Sequence, residues 1–160
     1  MNVRPARPGD AEAVWGIIGP AIRAGETYPL PAGMSREAAL AYWFSPSHEV
    51  FVAEDVEGVL GTYYMRQNQQ GAGAHVANCG YMTSQSAMGR GIARTMCEHS
   101  LIHAKQRRFL AMQFNFVVST NSRAVALWQH MGFVVAGRLP AAFNHPRFGL
   151  VDALVMYRQL

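Results

Sequence analysis

The segment Met88 to Arg94, MGRGIAR, places two glycines one residue apart at the start of a predicted amphipathic helix. Backbone N–H groups in the first turn of a helix have no intrahelical acceptor, and the helix dipole favours an anion beside them. No Gly-Lys-Ser/Thr follows, and no acidic residue lies about 20 positions downstream, so neither a Walker loop nor a dinucleotide fingerprint is indicated. The segment is either a phosphate-binding loop or a glycine turn required only for close helix packing.

A second candidate lies in the segment STNSRAVALWQHMGF, residues 119–133. Asn121 or Ser122 stands where a helix would begin, and the side-chain oxygen of either residue can cap the first turn. Four residues share the spacing of one buried helical face, namely Ala124, Leu127, Trp128 and Met131. By itself this pattern indicates a helix that packs on a core.

Carboxamide side chains occupy two predicted strands. In the strand from Met112 to Ser119, alternation places Gln113, Asn115 and Val117 on one side. A central strand flanked by helices is usually apolar on both faces, and buried amides require hydrogen-bond partners. Asn78 lies in the apolar segment HVANCGYM, and its side-chain amide would likewise require hydrogen-bond partners if buried. The carboxamides form either a structural network or the lining of a polar ligand cleft.

The hydrophobic periodicity predicts the elements that position these residues. Asp10 and Ser35 are predicted to cap two early helices, and Val56, Glu57 and Gly58 to turn a hairpin. The predicted strands cover residues 2–6, 49–55, 58–68, 75–83, 109–118, 133–140 and 150–160, and the later helices cover about 90–106 and 121–131. This order indicates an α+β architecture with a mixed sheet.

Length and composition favour one ordinary domain of 160 residues. No run of about 18 apolar residues predicts a membrane span, and the start MNVRPARPGD lacks the apolar core of a signal peptide. Cys79 and Cys97 show no metal-binding or redox spacing. We therefore expect a cytoplasmic protein with reduced thiols, no metal and no membrane association.

Charge is distributed unevenly along the chain. Residues 1–57 hold eight acidic and four basic side chains, whereas residues 58–160 hold two acidic and ten basic ones. The second part either has an uneven solvated surface or faces a polyanion, which would be nucleic acid or a phosphorylated cofactor. A nucleic-acid binder is the main alternative class, but no recognition motif or interleaved exposed aromatic pattern supports it, so we expect no nucleic-acid partner.

From about Val50 onward the sequence resembles the GCN5-related N-acetyltransferase (GNAT) superfamily. Its Gln/Arg-x-x-Gly-x-Gly/Ala signature is met by residues 88–93, MGRGIA, in all but the first position. Its Asn-x-x-Ala-x-x-Leu-Tyr-x-x-x-Gly-Phe pattern is met by Asn121, Ala124, Leu127, Gly132 and Phe133, with Trp128 in place of Tyr. Two motifs in order, about 30 residues apart, are far more specific than either alone.

The resemblance implies a single acetyltransferase domain over residues 1–160. Residues 1–48 would supply the acceptor-side strand and helices, and residues 49–160 the acetyl-CoA-binding core. The implied fold is α+β in three layers: a mixed, mostly antiparallel seven-stranded sheet, splayed between strands 4 and 5, with helices on both faces. A homodimer is also expected.

The resemblance further implies that acetyl-CoA, as cosubstrate, wedges between the strands ANCGYMT and AMQFNFVV. Three residues of the first strand would pair with its pantetheine arm through their backbone groups: Tyr81, Met82 and Thr83. Seven backbone amides would hold its pyrophosphate, those of Met88, Gly89, Arg90, Gly91, Ile92, Ala93 and Arg94. Asn121 would reach the pantetheine, and Ala124, Leu127 and Trp128 would lie along it.

We expect direct transfer in a ternary complex, with a backbone N–H near Met82 stabilising the oxyanion. Trp128 replaces a Tyr that often protonates the departing thiolate; an indole N–H is no usable acid, but a thiol pKa of about 8.5 makes the thiolate a tolerable leaving group. Glu26 is the first candidate base and His75 the second, the alternative for Glu26 being a solvated loop carboxylate. Cys79 lacks a histidine partner and is disfavoured as a nucleophile.

More narrowly, NCGYM, FNFVVSTN and the C-terminal segment resemble fungal acetyltransferases that detoxify proline analogues such as azetidine-2-carboxylate. That likeness implies substrate contacts at Asn78 and Asn115. The loop GETYPLP, with Glu26 and Tyr28, is similar to the substrate loop of phosphinothricin-type enzymes. His145 is either an acceptor-site residue or a plain loop residue.

The expected acceptor is therefore the amine of a small molecule, an amino acid or amino-acid analogue. Two alternatives stay open. The acceptor could be a protein or peptide amine, or a polyamine, although the second half supplies almost no acidic cleft for a polyamine. The protein could also be a non-catalytic acyl-CoA sensor.

Overall fold

The computed structural model describes all 160 residues, which form seven strands and four α-helices. The strands are β1 (Asn2–Pro5), β2 (Glu49–Asp55), β3 (Gly58–Gln67), β4 (Val76–Thr83), β5 (Ala111–Val118), β6 (Val134–His145) and β7 (Gly149–Gln159). The helices are α1 (Ala11–Ala24), α2 (Arg36–Trp43), α3 (Ile92–Gln106) and α4 (Ser122–His130). None of these helices combines the length and the apolar character needed to cross a membrane.

All seven strands belong to one sheet in the order β1-β2-β3-β4-β5-β7-β6. Every neighbouring pair is antiparallel except β4 and β5, which are parallel. Helices α1 and α2 pack on one face through a cluster that includes Ile18 and Trp43, and α3 and α4 pack on the other through a cluster that includes Met96 and Trp128. The predicted three-layer mixed fold is confirmed.

The β4–β5 ladder is interrupted almost as soon as it begins. Only Val76 and Ala77 of β4 pair with β5, opposite Ala111 and Met112. At the next position, the side chain of Asn78 donates from Nδ2 to the carbonyl oxygen of Gln113, at 3.0 Å. A side-chain bond thus takes over where the main-chain ladder ends, and the two strands splay apart beyond it, as predicted.

Buried polar bonds tie α2 to the sheet. The indole Nε1 of Trp43 donates to Thr62 Oγ1 at 3.0 Å, and that hydroxyl donates to the carbonyl oxygen of Phe51 at 2.9 Å. Trp43 and Thr62 are both fully buried. Because an unpaired buried donor costs free energy, the hydrogen bond between Trp43 and Thr62 fixes the position of α2 on β3.

Glycine permits close packing on the opposite face. A Cβ atom added at Gly61 of β3 would lie 2.7 Å from Ile92 Cγ2 and 2.9 Å from Met96 Cε. Helix α3 therefore approaches β3 at a distance that a side chain at this position would prevent. The close approach also fixes where the start of α3 sits relative to the sheet.

The two predicted helix caps have different outcomes. Ser35 Oγ accepts a hydrogen bond from the Ala38 N–H at 3.1 Å, which confirms the cap of α2. Asp10 occupies the N-cap position of α1, but its carboxylate makes no bond to the helix amides. It instead binds the guanidinium of Arg4 at 2.7 and 2.9 Å, and those hydrogen bonds lower the pKa of Asp10 to about 2. The predicted cap at Asp10 is wrong because a charged partner on β1 outcompetes the helix amides.

The strict alternation predicted for β5 is also wrong. Phe114 pairs with Met156 and Val117 pairs with Leu154, so β5 holds one extra residue between them. This bulge returns Val117 to the same core cluster as Phe114. Strand β6 is longer than predicted, since it continues beyond residue 140 as far as His145.

We predict that Thr62→Val destabilises the fold by about 1–3 kcal/mol, because it leaves the buried Trp43 indole N–H without an acceptor. Urea unfolding followed by tryptophan fluorescence measures this loss. Thr95→Val is the matched control: it removes a hydroxyl that bonds the Gly91 carbonyl oxygen at an exposed site, where water replaces it. The control should change stability by less than about 0.5 kcal/mol. Equal losses in the two variants would contradict the role of the buried bond.

Candidate active site

A cleft of about 790 Å³ opens where β4 and β5 separate. Its size is within the range of small-molecule and cofactor sites. The lining comes from α1, α2, the loop after α1, strands β3 to β5, the segment 87–94 and α4. Among the 30 lining residues there is no aspartate, glutamate or histidine, whereas three arginines are present: Arg66, Arg94 and Arg123. The cleft is therefore positively charged and contains no carboxylate.

The glycine loop at one end of the cleft has a conformational requirement. Gly89 and Gly91 both have a φ of +81°, and a Cβ atom added at either would meet no atom within 4 Å. Non-glycine residues rarely adopt this left-handed conformation. Close helix packing, the alternative for these glycines, is not what the structure shows.

This backbone conformation leaves five N–H groups without an acceptor in the chain. They belong to Gly89, Gly91, Ile92, Ala93 and Arg94. The amides of Met88 and Arg90, by contrast, donate to the carbonyl oxygens of Gln85 and Ala87 at 3.4 and 3.3 Å. The loop thus presents a cradle of five unpaired amides that could accept an anion, two fewer amides than the family resemblance implies.

The arginines near this cradle point in different directions. Arg90 binds Asp55 Oδ2 at 3.0 Å and Glu57 Oε2 at 2.6 Å on the β2–β3 hairpin, and it is not part of the cleft lining. Arg94 lines the cleft while bonding Glu98 at 2.9 Å. Arg123, in the first turn of α4, also lines the cleft and makes no ion pair. Arg94 and Arg123 therefore supply the positive charge at this end.

Strand β4 presents an unpaired backbone edge to the cleft. The bonds from Ser84 N–H to the Leu60 oxygen and from Asn68 N–H to the Val76 oxygen, both 2.8 Å, show that even-numbered residues of β4 direct their backbone groups toward β3. Met82, opposite Thr62, therefore has its amide in the β3–β4 ladder. The predicted oxyanion donor near Met82 is therefore not the amide of Met82 itself, and the backbone of Met82 is not free to pair with a ligand in the gap.

The backbone groups of Tyr81 and Thr83 instead face the gap. The Tyr81 carbonyl oxygen accepts a hydrogen bond from the Tyr28 hydroxyl at 3.1 Å, across the cleft from β4. Burial raises the pKa of Tyr28 above its ordinary value, so this hydroxyl stays a neutral donor. Main-chain donors for a ligand in the cleft are the amides of Tyr81 and Thr83.

Helix α4 forms the wall opposite β4. Asn121 Oδ1 caps the helix by accepting from the Ala124 N–H at 3.3 Å, and Ala124 and Leu127 line the cleft. The Trp128 ring centroid lies 5.0 Å from those of Tyr81 and Phe114. Its indole N–H has no partner in the chain, yet no fully buried polar side-chain atom lacks one. The Trp128 N–H is therefore not completely enclosed, although the residue as a whole is only 7% exposed.

The other end of the cleft is lined by tyrosines and carboxamides. Tyr28, Tyr42, Tyr64, Asn78 and Asn115 all lie here. The two asparagines also belong to hydrogen-bonded networks. Arg66 Nε donates to Asn78 Oδ1 at 3.3 Å, and a chain of amides links Gln113, Asn115 and Asn68 at 2.9 and 2.7 Å. The two alternatives for the carboxamides, network and cleft lining, are thus both realised.

Comparison with known proteins places this architecture. Residues 21–133 match the Acetyltransferase (GNAT) family. The chain belongs to the GNAT acetyltransferase family. The structure of a GCN5-related N-acetyltransferase from Kribbella flavida is 41% identical, with a TM-score of 0.94, over 99% of this chain and 97% of its own.

Two further relatives are more distant. The N-acetyltransferase aca1 of Schizosaccharomyces pombe is 29% identical over 151 residues, which cover 84% of this chain and 72% of that protein. A GNAT superfamily phosphinothricin acetyltransferase from Sinorhizobium meliloti, solved in complex with AcCoA, is 21% identical, with a TM-score of 0.85, over 99% of this chain and 88% of its own. The predicted membership of the GNAT superfamily is confirmed, and the chain is an acetyltransferase.

Three residues singled out from the sequence lie outside the cleft lining of this acetyltransferase. Glu26 directly precedes Thr27 and Tyr28, which do line the cleft, but Glu26 itself does not, and its carboxylate makes no hydrogen bond in the chain. His75 is exposed just before β4. His145 is buried at the end of β6, where its Nδ1 accepts from the N–H groups of residues 147 and 148 at 3.1 and 3.3 Å. That geometry assigns His145 to the β6–β7 turn, not to an acceptor site.

The cysteines are not arranged as nucleophiles. Cys79 and Cys97 are free and buried, and burial raises the pKa of both thiols, that of Cys97 to about 12. No group of three or more His, Cys, Asp or Glu side chains is placed to hold a metal ion. Covalent catalysis through a thiolate is therefore not supported.

Several lining residues were missed from the sequence, among them Tyr42, Tyr64, Arg66 and Arg123. A signal for two of them exists, because Tyr64 and Arg66 stand two apart on β3 and so share the face of the sheet that carries Thr62. No motif marks Tyr42 or Arg123, whose positions depend on how α2 and α4 pack.

We predict that Gly91→Ala weakens binding of coenzyme A at least about 10-fold, because a residue with a side chain resists the backbone conformation that holds the cradle amides together. Isothermal titration calorimetry measures the affinity. Gly149→Ala is the matched control, since Gly149 has a φ of +69°, has nothing within 4 Å of an added Cβ atom and lies in the β6–β7 hairpin. Both variants should lose about 1–2 kcal/mol of stability. Unchanged affinity in Gly91→Ala would contradict the assignment of the cradle.

Proposed function

We propose that this acetyltransferase transfers the acetyl group of acetyl-CoA to the amine of a small molecule, an amino acid or amino-acid analogue. The observation that carries the proposal is the cleft itself, which joins five unpaired amides at one end to a polar pocket without carboxylates at the other. Transfer is direct, in a ternary complex, because burial raises the pKa of Cys79, the one thiol of the cleft lining, and so disfavours a covalent intermediate.

The residues present fit acetyl-CoA. The amides of residues 89 and 91–94 suit the pyrophosphate, and Arg94 and Arg123 add positive charge beside them. The free backbone edge at Tyr81 and Thr83 suits the amide groups of a pantetheine arm, which can pair with it as a strand would. Asn121, Ala124 and Leu127 form the facing wall. When bound, acetyl-CoA supplies an acetyl group already activated as a thioester.

The chain's own contribution to transfer is orientation. Of the two amides on the free edge of β4, that of Tyr81 lies nearer the acceptor end and is the donor available to hold the acetyl carbonyl oxygen, which leaves that of Thr83 for the pantetheine arm. Trp128 has no proton to give a leaving thiolate, and a thiol pKa near 8.5 makes departure feasible without an acid. Since no carboxylate or imidazole lines the cleft, water carries the proton from the amine, with Glu26 as the proposed final base beside Thr27 and Tyr28.

The chemistry of the acceptor end favours a zwitterionic amine. Neutral carboxamides and tyrosine hydroxyls can bind both an amine and a carboxylate. A polyamine or lysine side chain would gain no ion pair from a cleft lacking acids. The resemblance of NCGYM, FNFVVSTN and the C-terminal segment to fungal acetyltransferases of proline analogues supports an amino-acid acceptor, and with it a role in detoxifying amino-acid analogues.

Assembly and location complete the proposal. Strand β6 is the edge of the sheet, and it exposes Val134, Val135 and Leu139, with Phe148 and Leu150 nearby. Exposed apolar side chains on an edge strand support the predicted homodimer.

Two free, buried thiols are consistent with the cytoplasmic location that we propose.

We predict that acetyl-CoA-dependent thiol release occurs with free amino acids, including azetidine-2-carboxylate and methionine sulfone, in preference to spermidine or a lysine-containing peptide. The reason is the absence of acids from the cleft. A thiol-reactive dye and mass spectrometry of the acetylated product measure turnover. Coenzyme A binding without turnover of any amine would identify a sensor instead, and turnover confined to peptide N-termini would identify a protein acetyltransferase.

We predict that Trp128→Phe lowers kcat by less than about 5-fold, because the indole N–H is not a proton donor to the thiolate. Trp128→Tyr should equal or exceed the wild-type kcat, since a phenol can supply that proton. Steady-state kinetics at several pH values measure both. A loss above 100-fold in Trp128→Phe, with coenzyme A affinity unchanged, would show that the indole itself takes part in the chemistry.

A further inference from the structure

Arg66 is the one cation at the acceptor end of the cleft, and it has no anionic partner. It lies near the end of β3, is half-buried, and forms no ion pair. Six other arginines of the chain pair with carboxylates: Arg4, Arg36, Arg90, Arg94, Arg107 and Arg138. Of the arginines without an ion pair, only Arg66 and Arg158 are half-buried, and Arg158 donates to the Met131 carbonyl oxygen outside the cleft. A half-buried charge without a counter-ion is costly, because the hydration that the charge loses is not replaced by an opposite charge.

The guanidinium is nevertheless held in place. Its Nε donates to Asn78 Oδ1 at 3.3 Å, and Asn78 Nδ2 donates to the Gln113 carbonyl oxygen at 3.0 Å. The orientation of the Asn78 amide is unambiguous, since a guanidinium only donates and a carbonyl oxygen only accepts. Of the five N–H donors of Arg66, the four on its two terminal nitrogens make no bond in the chain. Arg66 is therefore positioned by one donor and has four left for a ligand.

Arg66 also lies where two cavities meet. Besides the main cleft, it lines a polar cavity of about 500 Å³ whose other lining residues are Ser47, Gln67, Asn68, Gln69 and Gln70. This side cavity contains no acidic and no hydrophobic residue. Asn68 connects it to the cleft by accepting from Asn115 at 2.7 Å. A ligand at Arg66 thus has neutral polar groups around it and no competing carboxylate.

A planar guanidinium with adjacent free N–H groups matches the two oxygens of a carboxylate. We propose that Arg66 binds the carboxylate of the acceptor, so that the enzyme selects amines carrying a carboxylate and discriminates against the corresponding amides, polyamines and lysine side chains. This inference rests on the proposed function and names the residue that determines its substrate class. Asn78 then acts as a positioning residue for Arg66, in addition to bridging β4 and β5.

The same charge helps the acceptor amine react. A nearby cation disfavours the ammonium form of an amine bound beside it and so favours the neutral nucleophile. That effect matters in a cleft whose lining has no carboxylate or imidazole to take the proton. Arg66 thus combines recognition of one end of the acceptor with activation of the other.

The test compares each acid with its own amide. Azetidine-2-carboxylate and methionine sulfone are assayed beside their carboxamides, with wild type, Arg66→Met and Arg66→Lys. We expect wild type to prefer each acid, and Arg66→Met to lower kcat/KM for the acids about 10- to 100-fold, the range for a lost charge-assisted hydrogen bond. The amides should change by less than about 3-fold, and Arg66→Lys should restore part of the loss for the acids.

Arg108→Met is the matched control, because it removes the same charge from an exposed turn after α3 and should leave all four acceptors unaffected. The KM for acetyl-CoA and the melting temperature are measured for each variant. Equal losses for acid and amide in Arg66→Met would show a purely structural role and overturn the inference. Wild-type enzyme that acetylates the amides as fast as the acids would overturn it while leaving the proposed function intact. No turnover of any amino acid would overturn both.

Discussion

The interrupted pairing of β4 with β5 is the constraint on which the rest of the structure depends. Strands in the middle of a sheet normally satisfy each other's main-chain groups along their whole length. Here the ladder contains two residue pairs, after which Asn78 spans to Gln113 with its side chain and the strands separate. The backbone edge of β4 at residues 81 and 83 is thereby left open in the centre of the domain. The sheet keeps its other neighbours, so the gap does not divide the fold.

The open edge has consequences for everything placed around it. Tyr28 satisfies one of the exposed carbonyl groups, that of Tyr81, from the acceptor side. The loop before α3 lies at the far end of the same gap, with amides that its own backbone does not satisfy. Helix α4 closes the opposite side with Trp128 packed on Tyr81. Each surrounding element either hydrogen-bonds to backbone groups that line the gap or leaves N–H donors directed into it. Together these elements are complementary to a long ligand with an anionic end.

The sequence predicts the elements and the two motifs well, because periodicity and glycine spacing are local properties. The sequence does not show which alternate residues of β4 direct their backbone groups toward β3 and which direct them toward the gap. Whether the amide of residue 81 or of residue 82 faces the gap depends on the register of β3 against β4, which no local pattern encodes, and the assignment of Met82 fails for that reason. The choice of hydrogen-bond partner for a side chain is equally non-local. Asp10 has the residue type and position of a helix cap, but Arg4 of β1 donates two N–H groups to its carboxylate. The sequence gives no signal for Arg66, because an arginine in a strand is usually solvated. Only the folded structure shows that Arg66 lines a cleft without carboxylates.

The uneven charge along the chain corresponds to a spatial separation of charges in the fold. The excess of acidic residues in the first 57 positions does not enter the cleft, since Asp55 and Glu57 hold Arg90 on the outer hairpin and Glu54 joins Asp10 around Arg4. Carboxylates inside the cleft would compete with an anionic ligand for the same guanidinium and amide donors. Their exclusion leaves Arg94 and Arg123 at one end and Arg66 at the other with a net positive field between them. Such a field attracts anions to both ends of the gap.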